Sequence, residues 1–102
     1  MNIDAQSYRE TLGQYPTGVV LITAPASNGD PIGLVIGSFT SLSLEPPQVA
    51  FMPMRSSRTF SRIQEAGRFC VNVLAADQLD VCRVFASGAP DKFAGVAWHP
   101  AP

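Results

Sequence analysis

The amino-acid sequence predicts a small α+β or β-barrel domain, built on a largely antiparallel sheet with helices packed at its ends. One observation is the order of the elements, in which a helix precedes a hairpin and further strands then alternate with two helices. Another is the short hairpin-type connection at Asn28-Gly29, between two apolar runs. With 102 residues, 46% of them hydrophobic and 15% charged, the chain has room for a single domain, residues 1–102, with one modest core.

Three helices are predicted from start and stop signals. The first covers residues 4–14, with Asp4 and Ser7 as alternative caps. The second lies within residues 55–67, where a serine precedes an apolar face and a glycine follows it. The third covers residues 76–87 and is followed by glycine and proline.

Four strands are predicted from β-branched and alternating apolar runs. They cover residues 17–24, 32–43, 48–54 and 68–75. The side-chain alternation slips within the second strand, and the glycine at Gly37 predicts a bulge or kink there. Pro46-Pro47 predicts a turn before the third strand.

Composition excludes several classes of function. The net charge is −1 and no basic run forms a patch, so nucleic acid is not an expected partner. No apolar stretch is long enough to cross a bilayer, and the first residues lack the order of a secretory signal, so a cytoplasmic protein is expected. Cys70 and Cys82 lack metal-ligand spacing, and we expect reduced, buried thiols.

No catalytic side chain is predicted. The single histidine, His99, lies in a proline-rich tail without a cluster of metal-ligating residues, so no metal site is expected. The carboxylates are dispersed, and neither a nucleophile-elbow motif nor a glycine-rich nucleotide motif occurs.

Small hydrogen-bond donors form two groups, residues 38–41 and residues 55–59. Three hydroxyls and two arginines in the second group surround a predicted helix start, where free N–H groups, the helix dipole and guanidinium groups all favour a phosphate monoester. Two simpler interpretations remain open. Ser57 caps the helix while the arginines are solvated, and the hydroxyls of residues 38–43 pair across strands.

Five motifs in a fixed order resemble a known family. They are Pro16-Thr17-Gly18, Ser38-Phe39-Thr40-Ser41, Pro46-Pro47, Val71-Asn72-Val73-Leu74 and Asp91-Lys92-Phe93. In combination, from Tyr8 to Trp98, they resemble the flavin reductase-like domain family, the FMN-binding split barrels that include the reductase components of two-component flavin monooxygenases.

The resemblance implies a mainly β or α+β fold, an antiparallel split β-barrel with short helices. It also implies a flavin, FMN or FAD, whose ring and ribityl chain lie along the second predicted strand. The cofactor-binding residues that it implies are Val35, Ile36, Gly37, Ser38, Thr40 and Ser41 for the ring, Arg55, Ser56, Ser57 and Thr59 for the phosphate, and Phe85, Lys92 and Phe93 near the cofactor or a partner subunit.

The activity implied is hydride transfer from NADH or NADPH to flavin, with the reduced flavin passing to a partner monooxygenase. No acid or base residue is required, because the cofactor supplies the hydride chemistry. The resemblance further implies a homodimer with the pocket at its interface. Two alternatives remain: a flavin-binding module without reductase activity, and another ligand, such as haem or a deazaflavin, in the same barrel.

Two departures from the family pattern bear on these expectations. Val35 and Gly37 occupy positions where the family commonly has side-chain donors, so flavin preference or affinity is expected to differ. The family also continues past the tail of this chain, with further strands and a Gly-Asp-His motif linked to nicotinamide. We therefore expect a chain truncated at the C-terminus, either a fragment or a naturally short relative, whose exposed edges are covered by a second copy or a partner.

Overall fold

The structure, a computed structural model, describes residues 2–14, 17–88 and 91–100. Its elements are α1 Ala5–Leu12, β1 Val20–Pro25, β2 Pro31–Ile36, β3 Thr40–Ser43, β4 Gln48–Ala50, α2 Arg58–Ala66, β5 Cys70–Val73 and α3 Leu79–Ala86, with a 3₁₀ turn at Ala76–Gln78 before α3. The predicted order of helices and strands is confirmed except in one place, where two strands, β2 and β3, stand for the single strand predicted over residues 32–43.

The described strands form two antiparallel sheets. β1 is the central strand of the first, with β2 on one side and β5 on the other, and β3 pairs with β4 in the second. Antiparallel pairing within an α+β fold is therefore confirmed. The barrel that the resemblance implies is not closed by the residues that the structure describes.

The single strand predicted over residues 32–43 is wrong. The chain leaves the first sheet after Ile36 and enters the second at Thr40, so the predicted kink at Gly37 is a complete break between two strands. The mixed alternation of apolar and hydroxyl side chains is explained by this change of sheet, because the residues on either side of the break face different surroundings. A register shift between Ser41 and Ser43 adds an irregularity within β3.

The core lies on both faces of β1. On one face Val20, Ile22 and Ala24 pack with β2 and with Ile63 of α2. On the other face Leu21 lies near Phe85 of α3, which is buried. The central sheet is thus covered by α2 on one side and by α3 on the other, which fixes both helices relative to β2.

The caps of the helices explain where they begin. Asp4 caps α1 by accepting a hydrogen bond of 2.8 Å from the Ser7 backbone N–H, so Asp4 is the cap rather than Ser7. This bond and the Ser7 hydroxyl, which donates to the same carboxylate, lower the pKa of Asp4. Ser57 caps α2, and Gly67 ends it with a φ of 72°, a left-handed conformation that favours glycine.

The described residues bear on two expectations from the sequence, one about membrane-spanning segments and one about the two cysteines. In that part of the chain, no helix combines the length and the apolarity that crossing a membrane requires. Cys70 and Cys82 are free thiols and are half-buried, so the predicted burial is confirmed only in part.

Candidate functional site

The break between β2 and β3 is a short segment that lies outside both sheets. Gly37, Ser38 and Phe39 form no backbone–backbone hydrogen bond with any described residue. Gly37 is exposed, whereas Ser38 and Phe39 are half-buried. The break therefore presents hydrogen-bond donors and acceptors at the edge of the core, which is where a planar polar ligand could be recognised.

Ser38 joins this break to the segment that leads into α2. Its hydroxyl accepts a hydrogen bond of 2.8 Å from the Met52 backbone N–H and lies 3.4 Å from the Met52 carbonyl oxygen. Met54 in turn accepts a hydrogen bond of 3.0 Å from the Ser57 backbone N–H. The two donor groups predicted from the sequence are thus brought together through a short hydrogen-bonded segment.

The N-terminus of α2 carries two arginines, Arg55 and Arg58, that pair with no acidic side chain of residues 2–14, 17–88 and 91–100. The Ser57 hydroxyl accepts a hydrogen bond of 3.1 Å from the Phe60 N–H, which confirms the capping interpretation for that side chain. No described residue forms an ion pair or hydrogen bond with the guanidinium groups of Arg55 and Arg58. Both arginines are exposed, as is Ser56, so this end of the helix can attract an anion.

The side chains of residues 35–41 do not all face the break. Ile36 is only 5% exposed and lies in the core, so its side chain is not available to a ligand. Val35 lies opposite Leu21 on the face covered by α3. The cross-strand hydroxyl pairs expected as an alternative are not found among the described residues, because the exposed Thr40 hydroxyl donates to the neighbouring Ser41 carbonyl at 3.4 Å.

The glycine at position 37 is not required by the backbone. A Cβ built there would lie 3.6 Å from the Thr17 hydroxyl oxygen, which is ordinary van der Waals contact. A side-chain donor would therefore fit at this position, and its absence is a property of the sequence rather than of the fold.

A second group of predicted residues lies about a cavity of about 230 Å³ at the other end of β2. Thr59, Lys92 and Phe93 line it, together with Arg62, Asp91 and the first residues of β2. Ile32 and Gly37 lie about five residues apart, roughly 16 Å along a strand. The cavity and the break are therefore distinct places.

Arg62 is a site residue that the sequence reasoning missed. It lies three positions after Thr59, so the two side chains share one face of α2, and the helical repeat was the signal that could have found it.

Lys92 and Phe85 have structural roles. The Lys92 ammonium donates a hydrogen bond of 3.0 Å to the Phe85 carbonyl in the last turn of α3. The Phe85 ring packs edge-on against Phe93 at a centroid distance of 4.9 Å, and Phe93 packs in turn against Trp98 at 5.5 Å. These contacts fix residues 91–98 against α3.

A larger cavity, of about 380 Å³, contains none of the predicted site residues. Its lining is mainly apolar and includes Phe51, Phe60 and Phe69, with Arg68 as its one charged side chain. His99 is exposed and belongs to neither cavity; its ring nitrogen lies 3.1 Å from the carbonyl oxygen of the next residue. The two predicted donor groups therefore lie outside this cavity, one in the break and the other around the start of α2.

Comparison with known proteins identifies the family of this chain. The sequence profile described as "Flavin reductase like domain" matches residues 12–102, and the chain is a member of that family. The resemblance seen in the sequence is confirmed by this match.

Three relatives illustrate the similarity. A flavin reductase of Pseudomonas putida is 54% identical over 95% of this chain and 57% of its own length. The crystal structure of a nitrilotriacetate monooxygenase component B from Mycobacterium thermoresistibile is 46% identical with a TM-score of 0.89, covering 94% of this chain and 53% of that one. The NADH:FAD oxidoreductase SgcE6 of Streptomyces globisporus C-1027 is 35% identical with a TM-score of 0.81, covering 97% and 61%. The chain thus spans little more than half the length of these three relatives.

Proposed function

We propose that this chain binds FMN or FAD and, with NADH or NADPH, forms the flavin-binding part of a flavin reductase that supplies reduced flavin to a monooxygenase. The observation that carries the proposal is the pair of features joined at Met52: unpaired peptide groups at Gly37–Phe39 and a positively charged helix start at Arg55–Arg58. Family membership and the functions for which the three relatives are named support the same activity.

The donors of the site fit the two ends of a flavin. The ring carries alternating donors and acceptors along its polar edge, which unpaired peptide groups can match. The phosphate is an anion, and the free N–H groups, dipole and arginines at the start of α2 favour an anion. We propose that the ring lies against the break and that the phosphate lies near Arg55, Ser56 and the first turn of α2.

The chain's own residues bind and orient rather than move protons. A bound flavin supplies the hydride-accepting chemistry, and the protein supplies orientation and shields the reacting face from water. Exposed carboxylates such as Glu45 and the exposed His99 lie outside the proposed site and have no part in it. The rate is therefore expected to depend on how the ring is held.

Anaerobic reduction of bound flavin tests the proposal. We expect the purified chain to bind added FMN, and NADH or NADPH to bleach the flavin absorbance faster than it bleaches free FMN. Absorbance and fluorescence titrations measure the binding, and stopped-flow absorbance measures the bleaching. Binding without bleaching would identify a flavin-binding module instead of a reductase, and protein that ignores both FMN and FAD would contradict the proposal.

We also propose that the site is completed across a homodimer, in which the two sheets become parts of a split barrel. Large apolar side chains are exposed around β3, β4 and the following segment, namely Leu42 (64%), Leu44 (91%), Val49 (45%), Met52 (73%) and Met54 (76%). A patch of this kind on a small domain favours burial against another chain. Light scattering is expected to give twice the mass of the chain, and a monodisperse monomer would contradict the dimer.

A further inference from the structure

The register of the second sheet places Ser38 opposite Met52. Thr40 is paired with Ala50, and extending the antiparallel register away from that pair brings Ser38 and Met52 face to face. In an antiparallel ladder, residues directly opposite one another alternately exchange two backbone hydrogen bonds. The backbone ladder between β3 and β4 nevertheless begins only at Thr40, so it stops short of Ser38.

The Ser38 side chain makes the bonds that a ladder partner would make. Its hydroxyl accepts from the Met52 N–H at 2.8 Å and lies 3.4 Å from the Met52 carbonyl oxygen, so both backbone groups of Met52 face one side chain. A serine hydroxyl can do this because it has one donor and two acceptor positions. The backbone N–H and C=O of Ser38 itself form no backbone hydrogen bond with a described residue.

We propose that Ser38 is a positioning residue, whose hydroxyl replaces a backbone pair with Met52 and so leaves the peptide groups of Gly37–Phe39 free to bind the flavin ring. This inference rests on the proposed function and assigns the ring contact to the backbone rather than to the Ser38 hydroxyl. The hydroxyl stays bonded to Met52 when flavin binds. It also holds the Met52–Met54 segment, and through it the start of α2, at a fixed distance from the ring site.

Amide hydrogen exchange, followed by NMR on the 102-residue chain with and without FMN or riboflavin, shows whether the Ser38 hydroxyl stays bonded to Met52 or turns to the flavin. In the flavin-free protein the Met52 amide is protected, and in Ser38→Ala it exchanges about five- to tenfold faster because its acceptor is gone. With either flavin bound to the wild-type protein, the Met52 amide stays protected and the amides of residues 37–39 become slower to exchange. Ser38→Thr, which keeps the hydroxyl, retains Met52 protection.

Flavin affinity gives the second measurement. Ser38→Ala is expected to weaken the binding of both FMN and riboflavin by about three- to tenfold, because the ring site that the two flavins share loses its geometry. Ser43→Ala serves as the matched control, because it removes from the adjoining strand β3 a hydroxyl that forms no hydrogen bond with a described residue.

The outcomes are distinct. If flavin binds but the Met52 amide loses its protection, the hydroxyl has turned to the ligand and the inference is overturned while the proposed function stands. If flavin binds and the amides of residues 37–39 gain no protection, the inference is overturned in the same way. If neither flavin binds to the wild-type chain, the proposed function and the inference both fall.

Discussion

Replacing Gly33 by alanine is expected to destabilise the domain by about 1–3 kcal/mol, a cost typical of overpacking. A Cβ at this position would lie 2.7 Å from Phe85 Cε1, 2.9 Å from Phe85 Cδ1 and 3.3 Å from Leu21 Cδ1. The ring cannot retreat easily, because Phe85 is only 3% exposed and packs edge-on against Phe93. Thermal unfolding measures the effect, and a midpoint lower by about 5–15 °C is expected for a chain of this length.

Two further variants test the assigned cause. Gly88→Ala adds the same methyl group where nothing lies within 4 Å, so its midpoint should match the wild type. In a Phe85→Leu background the Gly33→Ala substitution should cost less than it does alone, because the shorter side chain relieves the contact. Equal costs in the two backgrounds would show that the contact with Phe85 is not the reason.

Gly33 also shows which parts of the fold sequence reasoning could reach. Local signals placed the caps, the turns and the order of the elements well, because a cap or a turn depends on a few neighbouring residues; Asp4, Ser57 and Gly67 are examples. The close approach of α3 to β2 depends on residues far apart in sequence. Nothing near Gly33 in the chain indicates that its missing side chain makes room for Phe85.

The break after Ile36 is a second feature that depends on contacts between distant residues and could not be predicted from local signals. The apolar run and the hydroxyl run together have the pattern of one strand, because alternation alone does not show when a chain changes sheets. Gly37 indicates the position of the irregularity but not its extent. The separation of two sheets follows from which strands pair in space, and the Ser38–Met52 hydrogen bond likewise joins segments that are distant in sequence.

The sequence predicted which residues supply donors to the candidate site but not how these residues are arranged in space. Residues 38–41 and 55–59 were identified from their donors, and the structure brings Ser38 and the Met52–Ser57 segment together. Thr59, Lys92 and Phe93 instead line a separate cavity with Arg62. Which face of α2 a residue occupies follows from the packing of that helix on the sheet, and of the predicted inner face, Phe60 and Ile63, only Ile63 is buried.

Replacing Arg55 by alanine is expected to weaken FMN binding by about tenfold or more while leaving riboflavin binding nearly unchanged, since hydrogen bonds to charged groups contribute about 1.5–3 kcal/mol. Riboflavin carries the same ring without the phosphate, so it reports on the ring site alone. Arg55 is exposed and forms no bond with a described residue, so its removal should not disturb the fold. Fluorescence titration with both flavins measures the effect.

The choice of Arg55 rather than Ser57 follows from the cap. Ser57→Ala would remove the acceptor of the Phe60 N–H and weaken α2, which would lower the affinity for both flavins. Arg83→Ala, on the exposed face of α3, removes the same charge away from the site and is the matched control.

Rising ionic strength should weaken FMN binding more than riboflavin binding in the wild type, and this difference should shrink in Arg55→Ala. An equal loss of affinity for both flavins would contradict the placement of the phosphate at the start of α2, because only a contact with the phosphate can distinguish the two ligands.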